Sequence, residues 1–190
     1  MKFKKSSNLN GNPSNPFKIP KILIQTLPSR ILNNFKPMYP ILNTLHSYNR
    51  YLLMAALVFV LFRSISGWLG KKPYEKADNA AGAALLGLAH LQLLLGLILY
   101  SISPRTQAAF DDMATAMKNA TLRYFAVEHI TAMVIAVVLI QVGRTLSKKA
   151  QDDTGKHKKA AIYTIIATVI ILGSLAPKGL LFGTVASMPN

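Results

Sequence analysis

Hydrophobic and polar positions divide the chain into four long apolar runs separated by short charged segments. The cleanest run is 80–103, AAGAALLGLAHLQLLLGLILYSIS, which carries no formally charged side chain. At roughly 1.5 Å rise per residue it spans about 36 Å as a helix, enough to cross a bilayer. A first span is predicted over about 48–69, with its unbroken apolar part at 51–62. Pro40 suits a first helical turn, so that helix is allowed to begin as early as residue 40. Arg63 sits a turn from the end of the span, where it can snorkel, and Trp68 lies where aromatic belts lie. A third span is predicted over about 122–143 and a fourth over 160–176, stopped by Pro177. Backbone polar groups in lipid must be satisfied within the segment. The expected fold is therefore an all-α membrane protein, an antiparallel four-helix transmembrane bundle.

Composition supports that class. Of 190 residues, 51% are hydrophobic and 15% charged, well under the roughly one quarter charged of soluble domains. One membrane domain, 38–190, follows a tail at 1–37. The tail holds Lys2, Lys4, Lys5, Lys18, Lys21, Arg30 and Lys36 with no acid, and is rich in Asn, Ser and Pro. It reads as a disordered basic extension without the apolar core of a secretory signal. The functional protein is expected to start near Met38, or else the first 37 residues are a dispensable extension. The segment after the second span, AAFDDMATAMKNA, has apolar residues at helical spacing and is expected to lie along the membrane surface.

The formal charge of +15 is carried by the tail and by short loops, so it speaks for membrane orientation rather than for nucleic acid. The first and third loops contain Lys71, Lys72, Lys76, Arg144, Lys148, Lys149, Lys156, Lys158 and Lys159. The second contains only Arg105, Lys118 and Arg123. The positive-inside rule places loops one and three in the cytoplasm; the basic tail pulls the other way. The absence of cysteine excludes disulfides, iron–sulfur clusters, thiolate-bound metals and covalently attached c-type haem.

The candidate chemistry is in four histidines, His46, His90, His129 and His157, one for each helix. An ionisable ring inside a span is expensive, and His90 stands deepest in its run. Two imidazoles from facing helices are what a bis-histidine b-type haem requires, and bundle cofactors sit between helices. In an antiparallel ring, helix one faces helix three and helix two faces helix four. His46 with His129 is the first-ranked pair, near the outer end; His90 with His129 is second. His90 with His157 is third, because His157 lies at or before the start of its span and His90 well inside. One histidine per helix makes two haems the leading count. Arg50, Arg123 and Arg105 are candidates for propionates at the outer face, and Lys71, Lys72 and Lys158 at the inner face. Gly82, Gly87 and Gly96 permit close approach of a helix or a flat ring. Each residue also has an ordinary reading, as an interfacial cation, a helix-packing glycine, or a histidine bonded to a neighbouring helix. For His90 that bond is helped by Gln92.

The phrases LHSYNRYLL, GWLGKKPYEKAD, LAHLQLLLGLILY, RYFAVEHITAM and KHKKAAIYTIIA together resemble a family of small bacterial four-span membrane proteins commonly labelled cytochrome b. The resemblance covers about residues 38–176 and includes all four histidines. It implies a bacterial inner-membrane protein. More distantly, the one-per-helix pattern is similar to the cytochrome b561 architecture, and QLLLG with EHITAM resembles half of a haem A synthase.

Three functions follow. The first is electron transfer through haem b, one or two per chain, between a quinol or reductase and a membrane or periplasmic partner. The second is a quinone- or haem-related oxidoreductase, with Glu128 beside His129 as the acid–base candidate. The third is a cofactor-free scaffold subunit. A homo-oligomer is compatible with each.

Overall fold

Small residues on one stripe and large apolar residues elsewhere decide how these helices pack. The computed structural model describes residues 38–180, which are helical with short turns and contain no strand. The expectations for residues 1–37 lie outside the described residues. The elements are α1 (Met38–Leu69), α2 (Lys76–Ile102), α3 (Pro104–Asp111), α4 (Met113–Lys118) and α5 (Ala120–Arg123). A π-helical turn (Tyr124–Glu128) leads into α6 (His129–Lys149), and α7 (Asp153–Leu175) ends in a 3-10 turn (Ala176–Lys178). Four segments, Met38–Leu69, Lys76–Ile102, Ala120–Lys149 and Asp153–Lys178, are long and apolar enough to cross a membrane. The chain is an all-α, multi-pass membrane protein.

The four long helices form a closed ring: α1 packs on α2, α2 on α6, α6 on α7, and α7 back on α1. This leaves α1 diagonal to α6, and α2 diagonal to α7. The inner faces step by alternating fours and threes, the repeat of interlocking helices. On α1 the stripe is His46, Arg50, Leu53, Leu57, Val60, Ser64 and Gly67. On α2 it is Asp78, Gly82, Leu85, Ala89, Gln92, Gly96 and Leu99. On α6 it is His129, Met133, Ala136, Ile140, Gly143 and Ser147. Ala89, Ala136, Ala161 and Ala167 are wholly buried, whereas Val58, Phe59, Phe62, Leu94, Val138 and Val169 point outward. Lipid tails are as apolar as Leu, so association rests on close packing, and small residues inside with large ones outside serve it.

The helices run past the predicted spans at their polar ends. Helix α2 begins at Lys76 rather than residue 80, because Asp78 folds back to accept a hydrogen bond from the Glu75 N–H (2.9 Å). Helix α7 begins at Asp153 rather than residue 160: the Asp152 carboxylate accepts from the Gly155 N–H (2.8 Å), and Asp153 sits favourably in the first turn. The basic run at 156–159, expected in the loop, is therefore helical. At the same end Arg63 does not merely snorkel. Its Nε donates to Asp78 Oδ1 (2.7 Å) and its Nη2 to Glu75 Oε2 (3.1 Å), tying α1 to the start of α2. The Asp78 side chain is only 4% exposed, and both its oxygens are engaged. Asp78→Ala is expected to cost about 2 kcal/mol, below the full penalty of a buried pair because Arg63 keeps Glu75 and some solvent. Unfolding in detergent measures it, with Glu75→Ala expected to cost much less.

At the opposite end α3 and α4 form a bent pair, with Pro104 opening α3 and Asp112 capping α4 through the Thr115 N–H (3.1 Å). Those bonds from Thr115 hold the Asp112 carboxyl below its ordinary range. Ala109, Ala116 and Ala126 bury one face, while Phe110, Met113 and Met117 stay exposed. The Tyr100 hydroxyl donates to the Ala126 carbonyl (2.7 Å), fixing α2 to the π turn beneath.

Candidate functional site

The inner stripes leave room at the α3 end of the ring, where a cavity of about 120 Å³ opens among all four long helices. Its depth is apolar: Leu53, Ala89, Met133, Ala136, Ile140 and Ile171 line it. Its mouth carries His46, Arg50, Gln92, Arg105 and His129. An apolar depth with a few placed polar groups is the usual make-up of a small-molecule site.

His46 is set by a hydrogen-bond chain that begins on a backbone carbonyl. Asn49 Nδ2 donates to the Leu88 carbonyl (3.1 Å) and to Gln92 Oε1 (2.7 Å). Gln92 Nε2 lies 3.1 Å from both the His46 carbonyl and His46 Nε2. Asn49 is 5% exposed, so the chain is closed to water from the α1 side. His46 Nδ1 is buried without a partner, and a β-carbon at Gly96 would lie 3.3 Å from His46 Cε1. A β-carbon at 96 would press the ring back by a few tenths of an ångström, so glycine there eases its close approach to α2.

His129 owes its placement to the π turn. In an α-helix residues five apart are roughly 140° out of phase and do not meet. Here the His129 N–H bonds to the Tyr124 carbonyl, five residues back, and the wider turn brings both side chains to one face. The Tyr124 hydroxyl lies 3.2 Å from His129 Nδ1, and Tyr124 is 2% exposed. A ligating imidazole is normally oriented by a partner on its other nitrogen, and Tyr124 is such a partner.

Comparison of the chain with protein-family models, curated proteins and solved structures finds no match.

Of the four histidines the structure brings only His46 and His129 to one cavity. His90 is exposed on the outer face of α2, its Nδ1 2.9 Å from the Leu86 carbonyl of its own helix. Gln92, expected to assist it, is two residues on, roughly 200° around the helix, and faces inward instead. His157 lies at the basic end, 2% exposed, packed at a tilt against Tyr74 (ring centroids 4.9 Å apart, planes at 58°) with Nε2 3.4 Å from the Pro73 carbonyl. From the shared end of the bundle His90 is roughly 15 Å deeper than His157. The pair His90/His157 does not meet, and His90 does not reach the cavity that His129 lines.

Arg123 is also diverted. Its Nε bonds Glu128 Oε1 (2.6 Å) and its Nη1 the Met117 carbonyl (3.0 Å), on the outside of the bundle. Arg50 and Arg105 are the guanidinium groups at the mouth, against Tyr51 and Phe125 respectively. Glu128 therefore stands away from the cavity. At the inner end Lys72 bonds Ser66 Oγ (2.8 Å) and Lys158 lies over Trp68 (5.7 Å); Lys71 occupies the turn after α1 with φ 47°. Gly87 meets nothing within 4 Å and faces outward. Among the described residues no three ligating side chains converge. A bis-imidazole site needs only two.

Proposed function

We propose that the chain is a membrane b-type cytochrome-like electron-transfer protein with one haem b between α1 and α6, its axial ligands His46 and His129. The observation that carries this is their meeting: imidazoles on diagonal helices line a single cavity, apolar in depth and cationic at its mouth. The residues suit the group. With its proton on Nδ1 and donated to the Tyr124 oxygen 3.2 Å away, His129 would keep its Nε2 lone pair for iron. The apolar lining matches the macrocycle in chemistry, although a cavity of about 120 Å³ must widen to take it, and Arg50 and Arg105 complement propionate charge. Bound haem would supply a one-electron couple. The protein's share is to hold the ring dry and to set its axial imidazoles.

Loops one and three, with nine basic residues against three, are placed in the cytoplasm by this proposal. The cavity then lies toward the outer face, where a single haem serves a membrane or periplasmic partner. The test is a reduced-minus-oxidised spectrum of protein purified from haem-replete cells. A well-folded sample with no Soret or α band sinks the proposal. Within it, Tyr124→Phe removes the partner of His129 Nδ1 and is expected to weaken haem binding about tenfold in a haem titration. A quinone oxidoreductase is the second reading. It is favoured by one observation, that His46 Nε2 already has Gln92 as a partner.

A further inference from the structure

Two backbone carbonyls fix the orientation of the amides beside His46. Asn49 Nδ2 bonds the Leu88 carbonyl, which only an NH2 group can do, so its remaining N–H meets Gln92 through Oε1. Gln92 must then present its own NH2 to α1, where the His46 carbonyl takes one proton. The second N–H of Gln92 points at His46 Nε2. A ring nitrogen that receives a proton donor carries a lone pair, so His46 is held with its proton on Nδ1. That is the tautomer an imidazole needs to bind a metal through Nε2.

We infer that Gln92 is the positioning residue of His46: its amide holds the Nδ1–H tautomer and occupies Nε2 until a metal takes that place, and Asn49 sets how firmly it holds. The tautomer half needs only the haem-free protein. The displacement half rests on the haem reading. Iron at Nε2 and the Gln92 N–H compete for one lone pair, so binding requires the Gln92 amide to swing off the ring. Its Oε1 then leaves Asn49. Asn49→Leu removes that tether while leaving Gln92 to set the tautomer, and Gln92→Leu removes the donor itself.

The experiment has two readouts. Side-chain nitrogen resonances of His46 in detergent, assigned by single substitution among the four histidines, report which ring nitrogen carries the proton. Haem-free wild type is expected to show protonated Nδ1 and unprotonated Nε2, and Gln92→Leu to move the population toward Nε2–H. Haem titration is expected to show Asn49→Leu binding about threefold tighter than wild type, the worth of one lost hydrogen bond. Wild type with its proton on Nε2, or an unchanged tautomer in Gln92→Leu, overturns the positioning role. Asn49→Leu that binds haem no tighter overturns the displacement. If no chain binds haem, the proposed function falls with the displacement half, and the tautomer readout still decides the rest. The wild-type tautomer decides even if a variant fails to fold.

Discussion

On the proposed haem reading, His46→Ala and His129→Ala are each expected to remove most of the haem signal, while His90→Ala and His157→Ala are expected to leave it near the wild-type level. This is the largest effect expected of any single substitution. The asymmetry follows from placement: His46 and His129 line one cavity, His90 bonds its own helix on the outer face, and His157 is enclosed at the far end. Removing either cavity imidazole leaves one ligand and a void among apolar side chains. Haem retained through purification is expected to fall at least tenfold, and any remainder to lose the bis-imidazole spectrum. A pyridine haemochrome assay of the wild type should give one haem per chain. Two per chain, with one lost in His157→Ala, would sink the single-site scheme. Loss of haem in His90→Ala with a folded bundle would do the same.

The fold was legible in the chain because lipid leaves so few choices. Four apolar runs with polar punctuation dictate four helices, and short connections dictate an antiparallel ring. The stripes were legible too. Leu85, Ala89, Gln92, Gly96 and Leu99 are spaced four, three, four, three, and small residues among them mark the packed face. Read that way, the sequence puts Gln92 inside and His90 outside, the reverse of what a search for ionisable groups suggests. The same spacing joins His46 to Arg50 and Leu53, and His129 to Met133 and Ala136. Helix ends were harder. At 153–159 the Asp152 cap and the first-turn Asp153 outweigh the local charge that reads as a loop, since the helix continues beyond the apolar stretch. The π turn had no local signal: YFAVE is unremarkable as a helix, and only its packing under Tyr100 and against α3 reveals the extra residue. Arg123 and Arg105, both candidates for the outer face, part company for a similar reason. The bend at Pro104 turns Arg105 and Thr106 to the mouth, whereas the ion pair with Glu128 holds Arg123 on the outside.

Enlarging Gly67 is the second test with a large expected effect, and it separates a structural His157 from a ligating one. Gly67 ends the inner stripe of α1, and a β-carbon there would fall within the His157 imidazole. The ring is held on its other sides by Tyr74 and the Pro73 carbonyl, so it has little room to retreat. Overpacking of this kind costs about 1–3 kcal/mol. Gly67→Ala is expected at the lower end and Gly67→Val at the upper, read from unfolding in detergent. His157→Ala alone opens a void where the imidazole was and destabilises as well. The two losses are not additive: in Gly67→Ala/His157→Ala the new methyl fills part of the vacated space. The double variant should therefore be more stable than the sum of the singles by about 1 kcal/mol or more. Through all three variants the α band per folded chain should hold, because the cavity lies at the other end of the bundle. An additive pair would mean that α1 and α7 do not approach at Gly67. A coupled pair that also loses haem would make His157 part of the cofactor site rather than the wedge that locks the basic end of the ring.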